Sequence, residues 1–435
     1  MDKLKVAVIC HVSNAEIRQN LDLESWTLKR LIKKILGRRS TINSDYSVWN
    51  TLMFHEFEAI EDIDFHAIIL HPGMKYSLQE FDIRGIHYHC IKQDMETFSG
   101  KVFKNRNIFK CFWHNRKWIA RVIDDIQPDV INLIAAESPF ISLAGIDIDT
   151  TKYPFMVSMQ TALSDPDFIE NYPMNKVDYE RRCEVEQAVL RRTKYIATDS
   201  SWYRAIAKQF NPGAEFLRYH FCVPNDFSML NKNVEKEYDF VYFSNNINKA
   251  GDDAVKAFAI AHRQNPSLTL NMVGGYDDEY YTHINMLMIE LGVKDNVTIS
   301  GYYSTYNAAL QQVLRAHNAL IPIKVDIISG TIREAMMLGI PVVTYVTKGT
   351  PALNKEKETV LLSSINDYED MANNMLRLVS DSVFREELIR NSEIYCQSNW
   401  NSRKNMLIQA KTYHCVYRHF HQKTPLPNEV TECLY

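Results

Sequence analysis

Residues 319–345 read ALIPIKVDIISGTIREAMMLGIPVVTY. An apolar run closes on Pro322, a loop carrying Lys324 and Asp326 follows, and a short segment of helical period ends in Gly339-Ile340-Pro341 before a second β-branched run. Strand, loop, helix and strand in that order predict two parallel strands joined by a helix, the repeating unit of an α/β sheet. In open parallel sheets ligands collect outside the carboxyl ends of strands. The loop 324–330 occupies one such end and opens a helix, where unpaired N–H groups and the helix dipole favour anions. Ile332, Ala335, Met336 and Gly339 recur at helical spacing as a core face, which turns Glu334 elsewhere. Thr331 and Glu334 also have the spacing of a capping box, so a bond from Glu334 back to the helix start is the structural alternative to a ligand role.

The same alternation extends in both directions. One series of strands is expected at 5–10, 67–70, 130–134, 155–159 and 195–198, and a second at 238–244, 268–273, 297–300, 319–322, 341–345 and 360–362. Two series in 435 residues predict two α/β domains. The polar stretch LNKNVEKEY at 230–238 suits a linker. The expected division is 1–225, 226–400, and a helix with a tail at 401–435 packing back on the first domain. Hydrophobic residues at 46% are ample for both cores, and a net charge of −4 argues against nucleic acid as a partner. The eight cysteines stand singly, without a C-x-x-C pair, which fits reduced thiols and offers no metal site by spacing. The first residues, MDKLKVAVIC, carry no signal-peptide pattern, and no apolar stretch approaches the roughly 18 residues of a membrane span. A cytoplasmic protein is expected. Residues 26–39 and 103–121 combine basic and aromatic or apolar side chains, a pattern that suits both peripheral contact with the cytoplasmic membrane face and ordinary packing.

Asp326, seven intervening residues, Glu334-Ala335-Met336 and then GIPVV at 339–343 resemble the E-x7-E region of family 4 glycosyltransferases. NMVGG at 271–275, ELGVKDNV at 290–297 and ISG at 299–301 resemble that family's glycine-ended strand, helix and next strand. YDFVYFS at 238–244, with Lys249 and Gly251 following, resembles its opening strand and basic phosphate loop. In all, the resemblance runs from 223 to 399. It implies the GT-B fold, two Rossmann-like α/β domains whose parallel sheets face a central cleft. It implies retaining hexosyl transfer from a nucleotide-sugar to a glycan or lipid-linked acceptor, with no cofactor beyond that co-substrate and no required metal. Glu334 then holds the donor ribose, Lys249 the pyrophosphate, and Gly274, Gly330 and Thr331 the rest of the donor. Asp326, where the family commonly has glutamate, orients the transferred sugar, and Lys324 is a solvated strand-end lysine.

The first half departs further from that family. Its opening strand ends in His11 without paired glycines, and Ser13 with Glu16 has capping-box spacing. Gln160 stands where related enzymes often place a histidine facing the sugar. It is a hydrogen-bonding member of the catalytic set with Asp326 and Glu334, and it cannot transfer a proton at neutral pH. His11 and Glu137, both at strand ends, are the acceptor-side candidates. IHYHC at 86–90 alternates as a strand does and is assigned to sheet packing. The rival functions are an epimerase or phosphorylase of the same fold, and a non-catalytic partner of a transferase.

Overall fold

Apolar runs buried on both faces belong inside a sheet covered on both sides, and parallel sheets are built that way. β1 (Leu4–Cys10) and β5 (Val130–Ile134) are such runs, with Lys5 alone keeping partial exposure. They pair in parallel with each other, and β1 pairs on its other side with β2 (Ile63–His71), Leu4 opposite Ile63 and Val6 opposite Val130. β4 (Ile86–Lys92), β6 (Phe155–Ser158), β7 (Tyr195–Ala197) and β8 (Glu215–Leu217) extend the sheet in parallel, while β3 (Leu78–Ile83) lies antiparallel on its edge. The order is β3-β4-β2-β1-β5-β6-β7-β8. β3 and β8 lie outside the expected strands. β3 is partly exposed and carries Gln79, Glu80 and Asp82, and β8 has three residues, so neither carries a long apolar run. The β3–β4 turn is Arg84-Gly85, with φ of 46° and 83°, the paired positive values of a two-residue hairpin whose twist matches its strands.

The computed structural model describes residues 3–24, 41–94, 107–171, 174–224, 227–246, 250–433 and 435. The segment 26–39 lies outside the described residues, as do 103–106. Beyond them, Phe112 is buried while Phe109 and Trp113 are 37% and 65% exposed. No described helix is long and apolar enough to cross a membrane. All eight cysteines are free thiols.

By contacts the chain divides into two units, one of Met1–Ile169, Met174–Cys222 and Ser402–Tyr435, the other of Glu170–Pro173 and Val223–Asn401. Among the helices of the first are α1 (Ala15–Gln19), α2 (Val48–Phe57), α3 (Trp113–Ile126), α4 (Lys176–Arg192) and α5 (Ser201–Phe210). The second has a parallel sheet of β9 (Tyr238–Asn246), β10 (Leu270–Gly275), β11 (Val297–Gly301), β12 (Ala316–Ile321), β13 (Val342–Tyr345) and β14 (Leu361–Ser363) in the order β11-β10-β9-β12-β13-β14. Its helices are α6 (Gly251–Gln264), α7 (Asp278–Glu290), α8 (Tyr306–Val313), α9 (Gly330–Met337), α10 (Tyr368–Ser380) and α11 (Ser382–Asn399). The sheet runs outward both ways from its first strand, the doubly wound Rossmann order.

After α11 the chain re-enters the first unit as α12 (Ser402–Gln422), whose Met406, Ala410, Tyr413 and Val416 join the same core as Val6, Val8, Val130 and Ile134. Asn132 lies among these apolar residues on β5, fully buried. Its amide donates to the Tyr413 hydroxyl at 3.0 Å, and its carbonyl accepts from Ser158 at 2.9 Å. Tyr413→Phe leaves the Asn132 amide without that acceptor, so we expect a loss of about 1–3 kcal/mol in stability by denaturant titration. An Asn132→Leu/Tyr413→Phe double variant should recover part of it.

Candidate functional site

β9 and β12 are neighbours from which the chain departs in opposite directions, β9 toward β10 and β11, β12 toward β13 and β14. Such a switch point leaves a crevice outside the carboxyl ends of the two strands. Beyond β9 lies Lys249, outside the described residues. The helix α6 then begins, capped by Ala250, which offers no side-chain acceptor. Asp252 and Asp253 fill its first turn, where carboxylates complement the helix dipole.

Asp253 does more than that. It is 5% exposed and gathers three donors: Lys324 Nζ at 2.7 Å, Tyr345 Oη at 3.2 Å and Tyr368 Oη at 3.1 Å. Lys324 follows β12, Tyr345 ends β13 and Tyr368 opens α10, so one carboxylate joins the segments bordering the switch point. Lys324 is therefore a fixed cation rather than the solvated lysine expected, with its side chain 20% exposed. An ammonium carries three donors, and Asp253 takes one.

β12 ends at Ile321 and the chain reaches α9 through Asp326. Asp326 has φ of 111°, a conformation that disfavours any residue with a Cβ and occurs at functional sites more than elsewhere. The backbone is held in it from outside: Thr347 Oγ1 donates to the Ile327 carbonyl at 2.9 Å, and a Cβ on Gly349 would overlap Ile327 Cγ2 and lie 2.5 Å from that carbonyl.

α9 starts earlier than the sequence suggests. Its N-cap is Ser329, whose Oγ accepts from Ile332 N at 3.3 Å and contacts Thr331 Oγ1 at 2.9 Å. The Thr331–Glu334 capping box does not form, because Glu334 is engaged on the other side: Tyr306 Oη of α8 donates to its Oε1 at 2.9 Å. Ile332, Ala335 and Met336 are buried, as their spacing predicts. Gly330 is exposed, with open space where a side chain would point, so a ligand can approach the main chain of the first turn closely. Glu334 is half-buried. Burial pushes its pKa up to about 7, and the Tyr306 bond pulls in the opposite direction. Gly274, next to last in β10, lies at a register shift with φ of 151°. The ensemble offers main-chain donors, a held ammonium and a carboxyl that titrates near neutrality. Main-chain donors and an ammonium suit an anion, and a carboxyl suits a hydroxyl-bearing group.

The first unit presents its candidates at the carboxyl ends of its own strands. His11 stacks on Tyr46 with ring centroids 4.2 Å apart and meets Phe140 edge-on. Burial, with His71 nearby, lowers its pKa to about 4, leaving it neutral. The Ser13–Glu16 capping box is also absent. Asn14 caps α1, Ser13 accepts from Arg18 at 3.0 Å, and Arg84 holds Glu16 with two bonds of 2.5 and 2.7 Å. Glu137 is 5% exposed, its Oε2 has no hydrogen-bond partner among the described residues, and burial raises its pKa. Gln160 follows β6, partly exposed. The loop beyond it is fixed by Glu186, wholly buried, whose carboxylate accepts from Leu163 N and Ser164 N at 2.9 and 2.8 Å. Asp253, Tyr306 and Glu186 are not foreseen from sequence. The only local signal was the acidic pair opening a helix after a strand.

Residues 226–394 match the family model of glycosyl transferases group 1. No curated protein matches the chain. Sucrose-phosphate synthase from Thermosynechococcus elongatus superposes with a TM-score of 0.67 at 15% identity, over 95% of this chain and 98% of that one. The E. coli trehalose-6-phosphate protein bound with UDP-2-fluoro glucose gives 0.65 at 8% identity, over 94% and 98%. The fold is GT-B. HepE of Anabaena, in complex with UDP and glucose, shares it with a TM-score of 0.59 at 13% identity, over 84% of this chain and 95% of its own. The group 1 match covers the second unit of this GT-B chain, including Gly274, Asp326, Gly330, Thr331 and Glu334.

Two substitutions test the held loop. Gly349→Ala forces the Ile327 backbone to move and should cost about 1–3 kcal/mol in thermal or denaturant unfolding. At position 326, glycine should exceed alanine in stability by about 1 kcal/mol, since both delete the carboxylate and only alanine keeps the φ strain.

Proposed function

We propose that this chain is a nucleotide-sugar-dependent glycosyltransferase acting on a glycan or lipid-linked acceptor, of the family 4 type and with retention at the anomeric carbon. The observation that carries the proposal is the β12–α9 connection: a helix opening at exposed Gly330 and a carboxyl at Glu334 fixed by Tyr306, inside the segment that matches the group 1 family. The donor diphosphate accepts from the main-chain N–H groups of Gly330 and Thr331 and from Lys324, with Lys249 on the β9 side. These donors meet the negative charge that grows as the bond from the anomeric carbon to phosphate oxygen breaks, which is where preorganised dipoles lower a barrier most. Glu334 accepts from the donor ribose hydroxyls. Asp326 accepts from hydroxyls of the sugar and sets its orientation, with Gln160 as a further hydrogen-bonding group. The acceptor hydroxyl, with His11 and Glu137 as candidates for its neighbours, forms the new bond to the anomeric carbon as the bond to phosphate breaks, and its proton passes to the departing diphosphate oxygen. Neutral His11 can accept a hydrogen bond, and buried Glu137 is biased toward its protonated form.

The deciding experiment is release of nucleoside diphosphate from a panel of nucleotide-sugars, UDP-sugars first, with and without mixed glycan and lipid-linked acceptors. Acceptor-stimulated release from one donor is expected; conversion of the sugar without release would assign an epimerase, and nucleotide binding without turnover a non-catalytic role. Glu334→Gln should weaken donor binding about ten- to hundredfold, the worth of a charge-assisted hydrogen bond. The wild type has a further signature in pH. Glu334 ionises through about pH 7, so donor affinity should rise from pH 6 to pH 8, and Glu334→Gln should abolish that slope. The same group acts oppositely on the fold. A carboxyl whose pKa is raised on folding stabilises below its unfolded value, and that contribution is lost as pH climbs through about 7.

A further inference from the structure

The histidines of the 86–90 strand do more than alternate. Tyr88 and the flanking Ile86 and Cys90 are buried, while His87 and His89 share the opposite face of the sheet with Asp64 and His66 of β2 and with Glu80 and Asp82 of β3. The three imidazoles are stacked, His66 on His87 at 4.7 Å and on His89 at 5.2 Å.

Their protons can be counted. His89 Nδ1 lies 2.5 Å from Glu80 Oε1 and His87 Nδ1 lies 2.6 Å from Asp82 Oδ1. Ionised carboxylates only accept, so both nitrogens carry hydrogen, and in a neutral ring the opposite nitrogen is then a bare lone pair. His89 Nε2 accordingly takes the hydrogen of His66 Nδ1, 3.0 Å away. That leaves His66 Nε2 bare, facing Asp64 Oδ2 at 3.3 Å, while His87 Nε2, also bare, faces Asp64 Oδ1 at 3.2 Å. With all three imidazoles neutral, two nitrogen lone pairs and a carboxylate converge with no hydrogen between them, an arrangement that a bound cation would complete.

We propose that Asp64, His66 and His87 bind a divalent transition-metal ion of the zinc type, with water completing its coordination. All three offer ligand atoms within 4.8 Å of one another. A tetrahedral ion with bonds of about 2.0–2.1 Å separates neighbouring ligand atoms by about 3.3 Å, close to the 3.3 and 3.2 Å at which His66 and His87 each face a different oxygen of Asp64. Asp82 is the outer carboxylate that orients a ligating imidazole, and His89 with Glu80 does the same for His66 in two steps. The side chains of Asp64 and His87 are 28% and 39% exposed, leaving an entry path. Asp64 and His66 lie in the first half of β2, and His87 near the start of β4, at the amino ends of these parallel strands. The ion therefore sits away from the carboxyl ends where His11 and Glu137 stand, and it clips β2 to β4, with β3 fastened through Asp82.

The test uses the full chain, stripped with chelator and titrated with Zn²⁺ and Co²⁺ at pH 7.5. One equivalent should bind, raise the melting temperature, and give Co²⁺ visible bands without a thiolate charge-transfer band. His66→Ala and His87→Ala should each weaken binding at least tenfold, and Asp82→Asn by about tenfold. His421→Ala, at an exposed histidine near the end of α12, should bind as wild type. Affinity should fall toward pH 6 as protons compete for the imidazoles. His87 is exposed enough that its replacement leaves the core intact, so a folding failure of His66→Ala does not remove the test. Absence of saturable binding at millimolar Zn²⁺, binding unchanged in His87→Ala, or a thiolate band would overturn the proposal.

Discussion

A buried charge must be answered, and Asp253 is answered from three directions. Removing its carboxylate from water costs several kcal/mol unless donors replace the solvent, and Lys324, Tyr345 and Tyr368 provide them. These three come from separate stretches of chain, so meeting the need of one carboxylate fixes where β12 delivers its loop, where β13 stops and where α10 begins. The positive charge of Lys324 is thereby held at the strand end instead of drifting in solvent. The switch point supplies the crevice, and Asp253 decides how its border is assembled.

The α/β architecture was legible because strands buried on both faces leave long apolar runs, and each strand expected from such a run is present. β3 and β8 escaped because an edge strand needs to bury little, and three residues make no pattern. The resemblance around Asp326 and Glu334 located the segment that the group 1 family model matches. Local rules failed where a distant partner outbid a near one. Thr331-Ile-Arg-Glu334 and Ser13-Asn-Ala-Glu16 both fit a capping box, but Tyr306 claims Glu334 and Arg84 claims Glu16. Spacing shows what a side chain is able to reach within its own turn. It says nothing of what arrives from another element, and the role of Asp253 was hidden for the same reason.

The strain at Asp326 and the half-buried carboxyl of Glu334 share a logic. Each is unfavourable in isolation, one through its backbone and the other through lost hydration, and each is maintained by neighbours with no evident purpose of their own at the site. Thr347 and Gly349 press on Ile327, and Tyr306 reaches across from α8. A protein selected for stability alone would have a glycine at 326 and an apolar residue at 334. The cost is tolerable because it is concentrated in one connection between rigid elements.

The passage of the chain through its two units has a bearing on how the molecule is made. Since α12 belongs to the core formed by β1 and β5, the first unit receives a wall of its interior only after the whole second unit has been translated. During synthesis the apolar face around Val6, Val130 and Ile134 waits for Met406 and Tyr413, while the second unit, contiguous from Val223 to Asn401, already has all of its strands. The half begun first is thus the half finished last, and a nascent chain halted between the two would display apolar surface of the kind chaperones recognise.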